Sequence, residues 1–196
     1  MKILLASFNP HKISEIRDIF RVLSQVELIL PADIGCSLQA EESGASYFEN
    51  ALLKAQAYRP FCQYPILADD SGLEIACWNK QPGIYSARFL GEETSYQKKN
   101  EEIIALLEKE KERSAQFVAV AVLLALDGEA RSFEGRVDGS IAYRQKGQNG
   151  FGYDPLFMLS DGRTMAELSS AEKNLISHRA LAFQQVVAYI KEQMHD

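Results

Sequence analysis

Short apolar runs alternate with amphipathic stretches along this chain, a pattern that predicts strands interleaved with helices. Residues 3–6 are apolar and predict a buried strand that starts almost at the first residue. Residues 11–23 carry apolar side chains at helical spacing, and Asn9 and Pro10 are favourable residues for the start of that helix. Residues 26–31 predict a second strand.

The same alternation continues towards the middle of the chain. Ser46 and Glu49 form a capping-box pattern, which opens a helix that is expected to end before Pro60. Residues 66–77 predict a strand that enters a tight turn and leaves it as another strand.

The second half of the chain is richer in strand signals. Residues 117–126 are nearly all apolar, as in a strand buried on both faces. Asp127-Gly128 is a hairpin-turn signal before a long strand, in which Gly135 suggests a bulge. The other expected elements are a helix capped by Thr94 and Gln97 that runs to about residue 110, a short strand at 156–159, a capped helical turn at 169–174 and a last helix from Ser177 to about residue 193.

Composition narrows the class of protein. The 196 residues, of which 46% are hydrophobic and 24% charged, predict a single domain over residues 1–196 with two lobes. Three cysteines without CxxC spacing are expected to be reduced thiols, and the apolar start is too short for a secretion signal, so we expect a cytoplasmic protein. The lack of a long apolar run argues against a membrane span, and the formal charge of −6 argues against non-specific binding to nucleic acid.

The stretch Asp69-Asp70-Ser71-Gly72 carries two adjacent carboxylates at the end of an apolar run. Neighbouring side chains on an extended chain point to opposite sides, so one carboxylate can face a ligand while the other supports the local structure. Such groups bind metal or take part in acid–base chemistry in many proteins. A solvated turn of the same residues is an equally good interpretation of this stretch alone.

Basic residues recur at the predicted helix starts. Lys12 lies in the first turn of a helix, where free N–H groups and the positive end of the helix dipole attract phosphate. His178 and Arg179 repeat this pattern at the start of the last helix. Solvated side chains at helix ends are the alternative explanation.

The segment 147–155 contains three glycines around an aromatic side chain. Such a loop allows the backbone to approach a ligand closely, so Phe151 is a candidate to stack on a base and Asp154 to accept a hydrogen bond. A glycine-rich connection with core aromatics is the alternative.

These groups form two chemically complementary sets. The carboxylates are Glu42, Asp69 and Asp70, and the cations are Lys12, Lys54, Lys173, His178 and Arg179. Two like charges about 4 Å apart repel by about 4 kcal/mol at an effective dielectric of about 20, so clustered carboxylates would repel a polyphosphate. A divalent cation reverses that repulsion, and oxygen ligands suit Mg²⁺.

The order and spacing of several motifs identify a family. They are Asn9-x-x-Lys12-x-x-Glu15, Phe48-x-Asn50-Ala51-x-x-Lys54-Ala55, Ala68-Asp69-Asp70-Ser71-Gly72-Leu73, Pro82-Gly83-x-Tyr85-Ser86-Ala87-Arg88-Phe89, Glu134-Gly135-x-Val137-x-Gly139, Gly150-Phe151-Gly152-Tyr153-Asp154-Pro155-x-Phe157 and Lys173-x-x-x-Ser177-His178-Arg179. Taken together, over residues 3–190, the chain resembles the inosine/xanthosine triphosphate pyrophosphatases, also called dITP/XTP diphosphatases.

This resemblance implies a fold, an assembly and a reaction. The fold is expected to be α/β, with a long twisted mixed sheet flanked by helices and two lobes with a central cleft. The assembly is expected to be a homodimer. The expected reaction is Mg²⁺-dependent hydrolysis of ITP, dITP or XTP to the monophosphate and pyrophosphate, which removes non-standard purines from the nucleotide pool.

The resemblance also assigns roles to individual residues. Glu42 and Asp70 look like metal ligands, with Asp70 also the general base and Asp69 an additional ligand. Phosphates would contact Lys12 and Lys54, with Ser7, Asn9 and Ser71 making hydrogen bonds nearby. The base and sugar would be enclosed by Phe151, Gly152, Tyr153, Asp154, Lys173, His178 and Arg179.

Two other functions fit the same residues. One is a pyrophosphatase for pyrimidine or modified standard nucleoside triphosphates, and the other is a nucleotide sensor without catalytic activity. Turnover of ITP and XTP against dTTP and UTP separates the enzymes. The retained Asp70, Lys12 and Lys54 argue against the sensor.

Overall fold

The computed structural model describes residues 1–194. Its helices are α1 (Pro10–Phe20), α2 (Tyr47–Tyr58), α3 (Tyr96–Leu106), α4 (Ser170–Ile176) and α5 (His178–Gln193). Its strands are β1 (Lys2–Leu5), β2 (Glu27–Ile29), β3 (Ile66–Ile75), β4 (Gln81–Pro82), β5 (Ser114–Leu124), β6 (Ala130–Ile141) and β7 (Phe157–Met158). None of the helices within these residues is long and apolar enough to cross a bilayer.

The strands form one mixed sheet in the order β2-β1-β3-β5-β6-β7, with β4 paired to β3. Strand β1 is parallel to both β2 and β3, whereas β4 is antiparallel to β3 and β7 is antiparallel to β6. Parallel neighbouring strands need crossover connections. Helix α1 lies between β1 and β2 in the chain, and α2 lies between β2 and β3. The predicted α/β fold with a mixed sheet and flanking helices is confirmed.

Two compact units divide the described chain, and the first contains Met1–Asp70, Ala119–Gly135 and the segment from His178 onwards. Residues of β1 alternate between two apolar clusters in this unit. Ile3 and Leu5 pack with residues of α1 and α5, whereas Leu4 packs with residues of α2. A strand covered by helices on both faces explains why residues 3–6 are apolar without interruption.

The second unit contains Ser71–Val118 and Arg136–Ser177. Its core joins the second half of β3 with α3 and the start of β5, through Leu73, Ile103 and Phe117. Phe117 and Phe157 stack with ring centroids 4.2 Å apart. This core supports the segment from Gly147 to Asp154, since Tyr153 belongs to it.

Most predicted elements occur close to their expected positions, but three details are wrong. Residues 66–75 form one continuous strand instead of a strand, a turn and a second strand. Helix α3 is capped by Ser95, whose side chain accepts from the N–H of Lys98, and not by Thr94. Gly135 lies within the uninterrupted strand β6 and is not a bulge.

The reason for glycine at position 135 is the close approach of helix α5. A Cβ atom at Gly135 would clash with the carbonyl oxygen of His178 and would lie 2.6 Å from the backbone nitrogen of Ala182. No side chain fits at these separations, so Gly135 allows the first turn of α5 to pack directly on the strand.

Candidate active site

Asp69 and Asp70 point to opposite faces of β3, as expected for neighbours on an extended strand. Asp69 follows the side of Leu67, which packs with α1 and α5, and Asp70 follows the side of Ala68, which packs with α2. Both carboxylates are buried, with 2% and 5% exposure. The solvated-turn interpretation is therefore excluded.

On the first face, Asp69 binds two cations through the same oxygen atom. The Lys12 ammonium donates to Asp69 Oδ2 at 2.9 Å, and Nε of Arg179 donates to it at 3.3 Å. Arg179 also donates from Nη1 to Glu15 Oε2 at 2.7 Å. The guanidinium therefore joins helix α1 to strand β3 from the first turn of α5.

These contacts keep Asp69 ionised. Burial alone would raise the pKa of Asp69, but Lys12, Arg179 and Lys54 together hold that pKa far below its ordinary value. Burial lowers the pKa of Lys12, and the nearby charges of Lys54 and Arg179 lower it further, while Asp69 opposes the change. Asp69 is thus an anion at neutral pH that holds Lys12 and Arg179 in place.

On the second face, Asp70 contacts two side chains of α2. Asn50 Nδ2 donates to Asp70 Oδ2 at 3.0 Å, and the Lys54 ammonium lies 3.6 Å from Asp70 Oδ1. Lys54 also donates to Glu42 Oε1 at 2.8 Å. Because Asn50 and Lys54 are four residues apart, they lie on the same face of the helix.

The environment of Asp70 shifts its pKa in the opposite direction from that of Asp69. Burial raises the pKa of Asp70, and the neighbouring Glu42 contributes to the increase, while Lys54, Lys12 and Asn50 oppose it. Burial alone would lower the pKa of Lys54, but Asp70, Asp69 and Glu42 raise it. Asp70 is therefore a stronger base than an exposed aspartate.

The start of α1 is held by the two polar residues predicted there. The side chain of Asn9 accepts from the backbone N–H groups of His11 and Lys12, at 3.0 and 3.2 Å. Ser7 Oγ accepts from the backbone N–H of Asn9 at 3.3 Å. These contacts fix the position from which Lys12 reaches Asp69.

A separate group of predicted residues lies in the second unit. Asp154 Oδ2 accepts from the backbone N–H of Phe151 at 2.8 Å and forms a buried ion pair with Lys173. The Lys173 ammonium also lies 4.9 Å from the centre of the Phe151 ring. Asp154 and Lys173 therefore define the conformation of the loop that carries Phe151.

Helix α3 supports the other side of this loop. Asn100 Nδ2 donates to the carbonyl of Gly152 at 3.1 Å, and the Tyr96 and Tyr153 rings meet edge to face at 5.2 Å. The Tyr153 hydroxyl donates to the carbonyl of Ser86 at 2.7 Å. Tyr153 is 4% exposed, so its ring is part of the core.

The predicted site residues thus form two groups, one in each unit. The first group brings Lys12, Lys54, Asp69, Asp70 and Arg179 into mutual electrostatic contact. Glu42 joins it through Lys54, Ser7 and Asn9 support Lys12, and His178 is buried in the first turn of α5 beside Arg179. The second group contains Ser71, which follows Asp70 on β3, together with Phe151, Gly152, Tyr153, Asp154 and Lys173.

Residues 1–194 contain no group of three or more His, Cys, Asp or Glu side chains arranged to hold a metal ion. Glu42 and Asp70 are nevertheless two carboxylates gathered around one ammonium group, that of Lys54. Mg²⁺ commonly binds one or two carboxylates together with substrate phosphates, so this donor pair fits the ion. Asp69 faces the other side of β3, and its assignment as an additional ligand stays a prediction.

Sequence reasoning did not select Glu15, Asn50 or Asn100 as functional residues. Glu15 lies one turn after Lys12, and Asn50 lies one turn before Lys54, so helical spacing was the available signal in both cases. Asn100 acts on a loop about 50 residues away in the chain, and no local pattern links the two.

Comparison with known proteins identifies relatives along the entire length. The model of the Ham1 family matches residues 3–189. A dITP/XTP pyrophosphatase from Thermoanaerobacter sp. (strain X514) is 40% identical over 199 residues, with full coverage of both chains. The dITP/XTP pyrophosphatase of Staphylococcus aureus (strain MRSA252) is 42% identical over 193 residues, with 96% of each chain covered.

Solved structures also match the chain over nearly its full length. The Staphylococcus aureus Ham1 protein superimposes with a TM-score of 0.89 at 36% identity, covering 98% of this chain and 100% of that one. A HAM1 protein from Coxiella burnetii gives a TM-score of 0.90 at 36% identity, with 98% and 99% coverage. A nucleoside-triphosphatase / dITP/XTP pyrophosphatase from Mycobacterium abscessus gives a TM-score of 0.76 at 38% identity, with 97% of each chain covered.

Proposed function

Because this chain belongs to the Ham1 family, we propose that it hydrolyses ITP, dITP and XTP to the monophosphate and pyrophosphate, with Mg²⁺ as the cofactor. The observation that carries this proposal is the buried Asp70, which contacts Asn50 and Lys54 of one helix face. The matching relatives named dITP/XTP pyrophosphatase support the choice of substrate class.

Glu42 and Asp70 are the residues that we assign to Mg²⁺. When bound there, the ion would polarise the phosphoryl group and offset the charge of the leaving pyrophosphate. The position of Lys54 supports this assignment, because its ammonium group contacts both carboxylates and so places a positive charge between them.

Lys12 and Lys54 are the residues that we assign to the phosphates. Each ammonium group is held by a carboxylate, Lys12 by Asp69 and Lys54 by Glu42, so each has a defined position before substrate arrives. Asp69 is not one of the two carboxylates that we assign to Mg²⁺, so Lys12 can stay in place when a metal ion binds to them. It can then stabilise the charge of a transferring phosphoryl group without reorganising during the reaction.

Asp70 is the group that we assign to deprotonate the attacking water. Its Oδ2 accepts from Asn50 at 3.0 Å and its Oδ1 lies 3.6 Å from the Lys54 ammonium, so the carboxylate is held in a defined orientation. The raised pKa of Asp70, caused chiefly by burial, favours this proton transfer.

For base recognition we propose stacking on Phe151 and a hydrogen bond from Lys173, which both lie in the second unit. Hypoxanthine and xanthine carry a 6-oxo acceptor where adenine carries an amino donor. A donor facing adenine would leave a buried polar group without a partner, at a cost of about 1–3 kcal/mol. Rejection of guanine requires separate recognition of its 2-amino group.

The test is product analysis with ITP, dITP, XTP, ATP, GTP, dTTP and UTP in the presence of Mg²⁺. We expect pyrophosphate, and not orthophosphate, from ITP, dITP and XTP, with much slower turnover of the others. Asp70→Asn should abolish turnover while the thermal unfolding midpoint stays close to that of the unaltered chain. Orthophosphate as the first product, or preferred turnover of dTTP or UTP, would contradict the proposal.

We also propose that the chain forms a homodimer in the cytoplasm. The family resemblance supports the dimer, and three cysteines that are free in the described structure are compatible with a reducing compartment. Light scattering coupled to size-exclusion chromatography would detect the dimer. Fractionation of cells that express a tagged chain would test the location.

A further inference from the structure

Asn50 is a buried amide among apolar neighbours on α2. It is 0% exposed, as are Ala51 and Ala55 on the same helix. Burying an amide is unfavourable unless its donor and acceptor are both paired. Both ends of the Asn50 side chain are in fact paired, and each end bonds a different segment of the chain.

The two hydrogen bonds join a loop to a strand. Asn50 Oδ1 accepts from the backbone N–H of Gly44 at 2.8 Å, and Nδ2 donates to Asp70 Oδ2 at 3.0 Å. The amide cannot be reversed, because its NH₂ group would then face the Gly44 N–H and its oxygen would face a carboxylate. The orientation of Asn50 is therefore determined by chemistry.

Gly44 fits against this side chain without free space. A Cβ atom at Gly44 would lie 2.8 Å from Asn50 Oδ1 and 2.7 Å from the Cβ of Glu49. The next residue, Ala45, donates its N–H to Glu49 Oε2 at 2.7 Å. The loop is thus attached to α2 two residues after Glu42.

We infer that Asn50 is a positioning residue that fixes Glu42 relative to Asp70, and so builds the pair of carboxylates for a divalent cation. The inference rests on the proposed function for the identity of that pair. Lys54 also contacts both carboxylates, but a cation bound to them would compete with its ammonium group. The Asn50 side chain is uncharged, so a bound cation would not displace it from Asp70 or from the Gly44 N–H.

The test uses Asn50→Leu, which keeps a similar volume but removes both hydrogen bonds. Mn²⁺ serves as a probe, with its affinity for the nucleotide-free protein measured by electron paramagnetic resonance. Loss of a residue that orients a metal ligand weakens metal binding by about 10- to 100-fold, so we expect a decrease of that size. Hydrogen exchange at the Gly44 amide should also become faster.

Ser46→Ala is the matched control. Ser46 Oγ accepts from the N–H of Glu49 at 3.1 Å, so this variant weakens the start of the same helix without touching Asp70. We expect a lower thermal midpoint in the control, with Mn²⁺ affinity within about twofold of the unaltered chain. If Asn50→Leu does not fold, Asn50→Ser removes the same bridge with a smaller side chain.

The outcomes separate this inference from the proposed function. Mn²⁺ affinity in a folded Asn50 variant equal to that of the Ser46→Ala control would overturn the positioning role, whatever the enzyme hydrolyses. Absence of Mn²⁺ binding to the unaltered chain would overturn it too. Weakened Mn²⁺ binding in the Asn50 variant, with no release of pyrophosphate from ITP by the unaltered chain, would support the positioning role and refute the function.

Discussion

Replacing Asp69 with asparagine should destabilise the protein strongly at neutral pH. The Asp69 side chain is almost completely buried, and its Oδ2 atom accepts from both Lys12 and Arg179. An asparagine side chain is nearly the same size as that of aspartate, so the effect of the change is electrostatic. It removes the anion between two cations that also repel each other.

The magnitude follows from these contacts. Removing one partner of a buried ion pair costs about 3–5 kcal/mol of unfolding free energy. We expect the lower end of that range, about 3 kcal/mol, for two reasons. Arg179 keeps its 2.7 Å contact with Glu15, and the Lys12 side chain is 16% exposed and so retains some hydration.

The predicted loss depends on pH with a definite sign. The native pKa of Asp69 lies below its unfolded value, so its contribution to stability is fully present above about pH 4 and declines as the pH falls. Each unit of pH below about 3.9 should reduce the difference between the unaltered chain and Asp69→Asn by about 1.4 kcal/mol. The raised pKa of Asp70 makes the folded state more stable as the pH falls. This contribution is present in both proteins, so it does not change the difference between them.

Urea denaturation at pH 7 and at lower pH measures both effects. Asp18→Asn is the control, because Asp18 pairs with Arg21 at 2.9 Å while the Arg21 side chain is 81% exposed. A surface pair of this kind contributes about 0.5 kcal/mol or less. A change below about 1 kcal/mol for Asp69→Asn at pH 7, or a difference that does not shrink in acid, would refute the reasoning.

Three further changes test the rest of the site. Lys12→Ala should raise the KM for ITP about 10- to 100-fold in steady-state kinetics, because a charged hydrogen bond contributes about 1.5–3 kcal/mol; an unchanged KM would contradict the phosphate assignment. In Gly150→Ala the added Cβ atom would clash with Asp154 Oδ2, and the backbone at Gly150 has a φ of 71°. Gly162 has a similar φ of 86° but no atom within 4 Å of an added Cβ, so Gly162→Ala is the control. We expect the KM for ITP to rise far more in Gly150→Ala than in Gly162→Ala. Lys173→Met removes the ammonium group that pairs with the buried Asp154. We expect the free energy of unfolding, measured by urea denaturation, to fall by about 3 kcal/mol or more. A loss below about 1 kcal/mol would contradict a buried ion pair.

The periodic signals in the sequence were sufficient for most of the helices and strands. Helix α1 begins at Pro10 after the Asn9 cap, and α2 begins after Ser46, as the capping residues predict. The strand at Asp69-Asp70-Ser71-Gly72 was missed because charged residues and glycine are typical of turns. Only tertiary contacts make an extended conformation favourable there, and local sequence does not encode those contacts.

The site was predictable in its residue types but less so in its pairings. The acidic and basic residues were all visible, yet their spacing does not reveal that Arg179 pairs with Glu15 and Asp69 from opposite ends of the chain. Helical spacing does place Asn50 beside Lys54, but it does not tell which carboxylate both will contact. Such pairings depend on the packing of α1, α2 and α5 around β1 and β3.

The alternation of one strand explains how adjacent aspartates acquire different chemistry. Asp69 faces two cations and stays ionised, whereas burial, with a smaller contribution from the neighbouring Glu42, raises the pKa of Asp70. Environments that separate the pKa values of two carboxylates also separate their roles in acid–base chemistry. A turn, as first expected, would have exposed both groups to solvent and made them alike. The continuous strand is therefore the feature that pairs Asp69 with cations and leaves Asp70 with the raised pKa that our proposal for the base requires.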